Sequence, residues 1–215
     1  MSTKIEDTQV FGWEAAIRGG RNPMNSWKKS DSEFYNEEAQ EFPHGRLTDL
    51  IKIGPNDHKL LMNLCKGGTE ESKWRRMVHV QMDVTAPLYW WKEFDTYKVG
   101  TVANSCSTMH KIAAKEFELD DFSHDQLSGS GIGMLEIIIN SLNANREKYL
   151  DTKNKDYWWQ LIQLLPTSYN QKRTITMNYE NVITIIKQRT GHKLDEWNTL
   201  IEILKDLPYI KEITE

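Results

Sequence analysis

One stretch of the chain alternates between apolar and polar residues. Over residues 77–84 the apolar side chains occupy every second position from Val78 onwards. Because successive side chains of a strand point to opposite faces of a sheet, this pattern predicts a strand with one buried face. Pro87 ends the strand and suits the first turn of a helix, which is predicted over residues 88–97. Residues 169–177 also have strand-like composition.

Apolar residues at helical spacing account for much of the remaining chain. The predicted helices begin near Pro55, Ile132, Asp156, Asn178 and Leu194, and they end near Gly67, Tyr149, Leu165, Gly191 and Lys205. Asn is a residue type that caps helix N-termini, and Gly is one that ends helices. Residues 123–133 are predicted to be a loop. Residues 1–50 are predicted to be an irregular N-terminal segment, partly a mobile flap, and residues 51–215 an α+β domain.

Composition is typical of an ordinary globular protein of the cytoplasm. The 215 residues suit one domain with appendages, and 39% of them are apolar. No run of about 18 apolar residues is present, and residues 1–10 lack the apolar core of a secretory signal, so no membrane association is expected. The formal net charge of −4 makes nucleic-acid binding unexpected. Cys65 and Cys106 form no CxxC pair, which indicates a reduced, intracellular protein.

Aromatic residues are frequent. The chain has 8 Trp and 8 Tyr, and Trp90-Trp91 and Trp158-Trp159 are adjacent pairs. Two explanations are open. The first is a core rich in aromatic side chains, and the second is a site for a flat ring or a large interface between subunits.

Several clusters have both a chemical and a structural interpretation. The glycine-rich stretch 128–133 lacks the preceding strand and the Lys-Ser/Thr ending of a phosphate-binding loop, so a flexible loop is the simpler interpretation. Cys106 and His110 have the spacing of one helix face and could form a thiolate pair, although a lone Cys among small residues usually belongs to a core. His79 and Asp83 share a strand face, but the histidines show no HxH or HxxxH spacing, so no metal site is predicted.

Two basic positions are candidates for binding an anion. Lys172 and Arg173 follow Gln171 on a strand-like segment, where they could bind a phosphate or form a solvated edge. Arg189 ends an otherwise apolar helix, where a cation also suits the helix dipole. The residues alone indicate a polar pocket drawn from residues 92–110 and 163–189.

Two segments together resemble the flavin-dependent thymidylate synthases, the ThyX family. Residues 57–110 follow the family order of a helix, a glycine-containing turn, an alternating strand and an Ala-Pro pair. The family then has Arg-Gln-Trp-x-Arg-His-Arg, where residues 92–98 read Lys-Glu-Phe-Asp-Thr-Tyr-Lys. The second segment, residues 160–197, follows the order of the family motifs without a gap. Its matching residues are Leu165-Pro166, Thr176-Met177-Asn178, Gln188-Arg189 and His192. The two segments cover nearly half of the chain.

The resemblance implies a ThyX-like α+β fold, a small antiparallel sheet packed with long helices, in a homotetramer. The family reaction is the reductive methylation of dUMP to dTMP. Methylenetetrahydrofolate supplies the carbon, FAD relays it with the hydride, and NADPH reduces the flavin. By position, Arg189 is the catalytic residue that would stabilise the ionised pyrimidine. The implied substrate-binding residues are Glu93, Asn104, Cys106, Ser107 and Arg189, and the implied cofactor-binding residues are Thr96, Tyr97, Lys98, Asn178, Glu180 and Thr184.

Several family positions carry different residues in this chain. Arginines that contact flavin or nucleotide in the family, and one flavin-contacting histidine, are replaced by Thr96, Tyr97, Thr108, Ile162 and Glu180. Residues 73–77 stand where the family has Thr-Pro-Phe-Glu-His. Each lost charge-assisted contact to a phosphate removes about 1.5–3 kcal/mol. Two functions follow from the resemblance. One is a divergent flavin-dependent enzyme acting on dUMP or a related pyrimidine nucleotide, and the other is a non-catalytic or repurposed homologue that binds a nucleotide or a protein.

Overall fold

The computed structural model describes residues 3–34, 40–50 and 52–214. The strands are β1 (Lys4–Phe11), β2 (Gln40–Phe42), β3 (Gly45–Leu47), β4 (His79–Pro87), β5 (Val102–Ser105) and β6 (Asn170–Asn178). The α-helices are α1 (Trp13–Arg21), α2 (Pro55–Cys65), α3 (Leu88–Phe94), α4 (Thr108–Lys111), α5 (Gly129–Thr152), α6 (Lys155–Leu164), α7 (Tyr179–Arg189), α8 (Asp195–Lys205) and α9 (Ile210–Thr214). Short 3₁₀-helices cover Asn22–Met24, Trp27–Lys29, Glu71–Arg76 and Leu119–Asp121. None of the helices described is long and apolar enough to cross a membrane.

The six strands form one sheet in the order β2-β3-β1-β4-β6-β5. β2 and β3 are antiparallel, whereas β1 and β3 are parallel, with Thr8 opposite Gly45 and Val10 opposite Leu47. The predicted α+β class is confirmed, and the strands predicted over residues 77–84 and 169–177 correspond to β4 and β6. The expected small antiparallel sheet contains a parallel pair, β1 with β3, because the chain between these strands includes α1 and is long enough for a parallel crossover.

Two other expectations about secondary structure are wrong. The segment 1–50 is not irregular throughout, since it contains β1, α1, β2 and β3, although residues 1–2 and 35–39 lie outside the described part. β1 acquires its conformation by pairing with strands distant in sequence, and its own alternation is weak. The glycine-rich stretch predicted as a loop starts α5 instead, because Ser128 caps that helix by accepting from the Gly131 amide.

Contacts divide the described chain into two compact units. The first unit contains residues 3–4, 84–96 and 104–173, and the second contains residues 5–83, 97–103 and 174–214. In the first unit, α5 and α6 pack over an apolar cluster that includes Phe117, Phe122, Leu135, Leu142 and Leu161. In the second unit, the Trp13 ring contacts the rings of Trp74, Tyr179 and Tyr209 at centroid distances of 5.9, 5.3 and 5.3 Å.

The aromatic core accounts for most of the tryptophans. The almost completely buried ones are Trp13, Trp74, Trp90, Trp91 and Trp197. Trp27 and Trp159 are the exposed exceptions, at 49% and 41%. The first explanation of the aromatic content, a ring-rich core, therefore covers five of the eight tryptophans.

Candidate functional site

The N-terminus of α7 is closed by a reciprocal pair of asparagines. The Asn178 side chain accepts from the Asn181 amide at 3.0 Å, and the Asn181 side chain accepts from the Asn178 amide at 3.2 Å. The two bonds form a capping box, which satisfies amides that have no partner inside the helix. The predicted N-cap at Asn178 is confirmed, and its side chain is already committed to the helix.

The C-terminus of α7 carries Arg189 in an aromatic recess, which we call the arginine recess and define by Tyr97, Arg189, His192 and Trp197. The guanidinium carbon lies 4.6 Å from the centroid of the Trp197 ring and 5.5 Å from that of Tyr97. Arg189 Nε donates to the Tyr97 hydroxyl at 2.9 Å, and this hydroxyl donates to the Gln188 side chain at 3.0 Å. Arg189 is half-buried, so these contacts fix a cation in a partly desolvated position.

His192 closes one side of the arginine recess. Its Nε2 lies 3.3 Å from an Arg189 terminal nitrogen, and its Nδ1 lies 3.2 Å from the Leu194 amide nitrogen. Arginine and the amide are both donors, but a neutral imidazole has only one accepting nitrogen. Only one of these two contacts is therefore a hydrogen bond in the neutral ring, and the tautomer decides which.

The segment 97–103, which we call the α7 loop, lies against both ends of α7. Asn181 Nδ2 donates to the Val99 carbonyl at 2.7 Å, and the Thr101 hydroxyl donates to the Tyr97 carbonyl. Gly100 has φ +78°, and a Cβ there would lie 2.8 Å from Asn178 Nδ2. The loop thus needs glycine at this position for both backbone conformation and space.

Glu180 in the first turn of α7 is neutralised by an arginine. Its carboxylate lies 2.9 Å from the Arg75 terminal nitrogen, which also donates to the Ser72 hydroxyl at 2.8 Å. Burial raises the pKa of the neighbouring Cys65 thiol, although the Arg75 guanidinium opposes this rise. The Thr184 hydroxyl donates to the Glu180 carbonyl at 2.9 Å, so it is bonded within its own helix.

The other predicted site residues are distributed over α3, β5 and the start of α4. α3 ends at Phe94, three residues before the predicted end at residue 97, so residues 96–98 lie beyond the helix, and the Thr96 hydroxyl donates to the Glu93 carbonyl at 2.7 Å. Glu93 is half-buried, whereas Lys98, Asn104 and Cys106 are exposed. Ser107 caps α4 by accepting from the His110 amide at 3.0 Å.

The shared helix face predicted for Cys106 and His110 is wrong, because Cys106 precedes α4. Arg173, in the basic run on β6, makes its side-chain hydrogen bonds to residues of the first unit. It donates to Asp95 at 2.8 Å and to the Gln171 side chain at 2.9 Å. Its guanidinium carbon lies 4.3 Å from the centroid of the Trp91 ring. Arg173 is therefore already charge-compensated. The expected solvated edge is wrong, because β6 lies between β4 and β5 in the sheet and the Arg173 side chain is only 15% exposed.

A cleft in the second unit was not predicted. Its volume is about 510 Å³, and its walls include Gly19, Gly20, Leu64, Lys73, Trp74 and Met77. Among the described residues, no group of three or more His, Cys, Asp or Glu side chains is placed to hold a metal ion.

The fold of the whole chain matches solved structures. ThyX from Helicobacter pylori with FAD and dUMP superposes with a TM-score of 0.66 at 14% identity, covering 99% of this chain and 96% of that one. A second structure of the flavin-dependent thymidylate synthase from Helicobacter pylori, complexed with FAD and dUMP, gives a TM-score of 0.65 at 14% identity and covers 100% and 97%. This chain has the ThyX fold. No protein-family model and no curated protein sequence matches it.

The predicted cofactor positions offer little positive charge to a flavin dinucleotide. Its diphosphate needs cationic or N–H donors, and among these positions only Lys98 carries a positive charge. Glu180 brings a negative charge that Arg75 neutralises. The remaining positions are bonded to the protein itself, as described above for Thr96, Tyr97, Asn178 and Thr184.

Proposed function

We propose that this chain is a nucleotide-binding homologue built on the ThyX fold, with Arg189 contacting a pyrimidine nucleotide such as dUMP. The observation that carries the proposal is the arginine recess, in which a half-buried guanidinium is held by a phenol and an indole. A planar guanidinium in a fixed orientation suits the ionised edge of a pyrimidine or a phosphate. Because Arg189 is held before the ligand arrives, less conformational entropy is lost on binding.

Calorimetry of dUMP binding tests this proposal. We expect Arg189→Ala to weaken binding by about 2–4 kcal/mol, since one partner of a partly buried charged contact is deleted. Arg189→Lys should recover part of this loss, because lysine keeps the charge but not the planar fork. Arg18→Ala is the matched control, since Arg18 is an exposed arginine paired with Glu14. Absence of dUMP binding by the parent protein, or unchanged binding in Arg189→Ala, would contradict the proposal.

A second candidate function is the reductive methylation of dUMP with FAD, methylenetetrahydrofolate and NADPH. Its support is the match to ThyX structures that contain FAD and dUMP. The contacts at the cofactor positions favour the non-flavin alternative instead. We expect purified protein to lack the visible absorbance of bound flavin, to take up no added FAD and to fail to rescue a thymidine auxotroph. A yellow protein that rescues the auxotroph would establish the second function.

We also propose that the chain forms a homo-oligomer, a tetramer as the resemblance implies. Two apolar side chains on α5 support this, since Met134 is 60% exposed and Ile137 is 62% exposed. Light scattering at micromolar concentration measures the mass directly. A monomer at that concentration would contradict the proposal.

A further inference from the structure

The side chain of Arg189 contacts a segment outside its own helix. Its Nε–H donates to the hydroxyl of Tyr97, which the α7 loop supplies. The same hydroxyl donates to Gln188, so the phenol is fixed by two bonds in the last turn of α7. The Tyr97 ring also contacts the Trp197 ring edge-on at a centroid distance of 6.0 Å, and Trp197 packs on the guanidinium.

Tyr97 is in turn positioned from the opposite end of α7. Asn181, in the first turn, donates to the Val99 carbonyl, and Gly100 fits closely against the two capping asparagines. The Thr101 hydroxyl donates back to the Tyr97 carbonyl and tightens the turn between these two attachments. Asn181 and Arg189 are eight residues apart, which at about 1.5 Å per residue is about 12 Å along the helix. The α7 loop thus joins the N-terminal cap to the arginine recess.

We propose that the α7 loop is the positioning element of Arg189 and that Tyr97 is its positioning residue. Docking of the loop on the asparagine cap holds the phenol where it accepts from Arg189 Nε, and release of the loop removes this acceptor from the guanidinium. The consequence for ligand affinity rests on the proposed function. The consequence for the side chain of Arg189 does not, so the two can be tested separately.

The first test needs no ligand. In an NMR spectrum of ¹⁵N-arginine-labelled protein, the Arg189 Nε–H signal is assigned by its loss in Arg189→Lys. We expect this N–H to be protected from solvent exchange in the parent protein and to lose its protection in Tyr97→Phe, which keeps the ring and removes the accepting oxygen. Gly100→Ala should also lower the protection, although this change lies at the other end of the loop.

Tyr179→Phe is the matched control. The Tyr179 hydroxyl donates to the Pro208 carbonyl at 2.8 Å, so this variant also removes a hydroxyl hydrogen bond in the same unit. In Tyr179→Phe the Arg189 Nε–H should stay protected, because Tyr97 and the α7 loop are unchanged in this variant. Unchanged protection in both Tyr97→Phe and Gly100→Ala would overturn the proposal. Loss of protection in Tyr97→Phe alone would support the role of Tyr97 and overturn that of the loop.

The second test measures dUMP affinity. We expect Tyr97→Phe to weaken binding about tenfold, the size of one charge-assisted hydrogen bond, and to have no further effect in an Arg189→Ala background. An equal loss in both backgrounds would show that Tyr97 does not act through Arg189. If the parent protein binds no dUMP, the proposed nucleotide function is wrong, while the exchange measurement still decides the role of the loop.

Discussion

Arg21 Nε donates to Asp57 Oδ1 at 2.5 Å, and both side chains are almost completely buried. The other Arg21 nitrogens donate to the carbonyls of Ser26 and Lys29 at 3.1 and 2.9 Å. Asp57 Oδ2 accepts from the Ser30 hydroxyl, the Asp31 amide, and the amide and hydroxyl of Ser32. The two side chains of one buried ion pair therefore anchor residues 26–32 by hydrogen bonds. These residues belong to the segment that was predicted from the sequence to be partly a mobile flap.

Removing Arg21 should destabilise the protein strongly. We expect Arg21→Ala to lower the free energy of unfolding by about 3–5 kcal/mol, because it leaves the Asp57 carboxylate buried without its cation. Urea denaturation measures this value. The control Arg18→Ala removes an exposed arginine paired with Glu14 and should cost at most about 1 kcal/mol. Similar small losses in both variants would show that the buried pair is not a determinant of stability.

Asp57 should also make stability depend on pH. Burial alone would raise the pKa of Asp57, but hydrogen bonds from Ser32, Ser30 and Arg21 outweigh it and lower the pKa below its ordinary value. A carboxyl whose pKa is lower in the folded state contributes stability that is present above the unfolded pKa, about 3.9 for Asp, and is lost as the pH falls through the folded pKa.

We therefore expect the free energy of unfolding to fall on acidification below about pH 4, and to fall less steeply in Asp57→Asn. Asp49 contributes with the opposite sign, because burial raises its pKa despite hydrogen bonds from the Gly12 and Glu14 amides. Asp49 is present in both proteins, so the difference between their pH profiles isolates Asp57. Parallel profiles would contradict this assignment.

The ion pair between Arg75 and Glu180 should show measurable coupling. Glu180→Ala leaves a mostly buried guanidinium without its carboxylate, and we expect a loss of about 1–3 kcal/mol. The double variant Arg75→Glu/Glu180→Arg should be more stable than the summed losses of the single variants Arg75→Glu and Glu180→Arg predict. The reason is that the double variant exchanges the two charges and does not remove them. A double-mutant cycle by chemical denaturation measures the coupling, and additivity within about 0.5 kcal/mol would show that there is none.

Two glycines with positive φ provide a matched pair of alanine substitutions. Gly100 has φ +78° and crowded surroundings, whereas Gly191 has φ +74° with no heavy atom within 4 Å of an added Cβ. Both variants bear the cost of an alanine in the left-handed region, about 1–2 kcal/mol. Gly100→Ala should lose clearly more stability in thermal unfolding, because its Cβ also meets the capping asparagines. Equal losses would mean that the α7 loop accommodates the methyl group.

The two cysteines should differ in reactivity towards iodoacetamide. Cys106 is exposed, whereas Cys65 is partly buried and its burial raises the thiol pKa. Since the thiolate is the nucleophile, Cys106 should be alkylated first in the native protein. Mass spectrometry with peptide mapping identifies the modified site, and Cys106→Ser should remove the fast phase. Labelling of Cys65 at the same rate would show that its surroundings open on the timescale of the reaction.

The sequence predicted those secondary-structure elements that are determined by residues within or next to the element. The alternation around Val80 marked β4, and Asn178 marked the start of α7, because a buried strand face and a helix cap leave a pattern at the position itself. β1 left little pattern, since its neighbours in the sheet, β3 and β4, begin many residues further along the chain. The start of α5 was missed because its glycines are weak helix formers that the Ser128 cap and the packing of later turns override.

The position of Arg189 at the end of a helix was predictable from the sequence, but the contacts of its side chain were not. Arg189 was expected to emerge at the end of an apolar helix, which it does. Sequence spacing did not predict that Tyr97 accepts from Arg189 or that Arg75 neutralises Glu180. The two residues of each pair are far apart in the sequence. Such pairings depend on how distant segments pack, and a local sequence pattern does not predict that packing.

The position of β1 has a consequence for how the protein can be handled. β1 lies between β3 and β4 in the sheet, although it is formed by residues close to the start of the chain. Proteolytic loss of residues 4–11 would remove an interior strand, so that β4 would become an edge with unpaired backbone groups. Open edges of this kind recruit strands from other molecules. A preparation that lacks β1 is expected to aggregate.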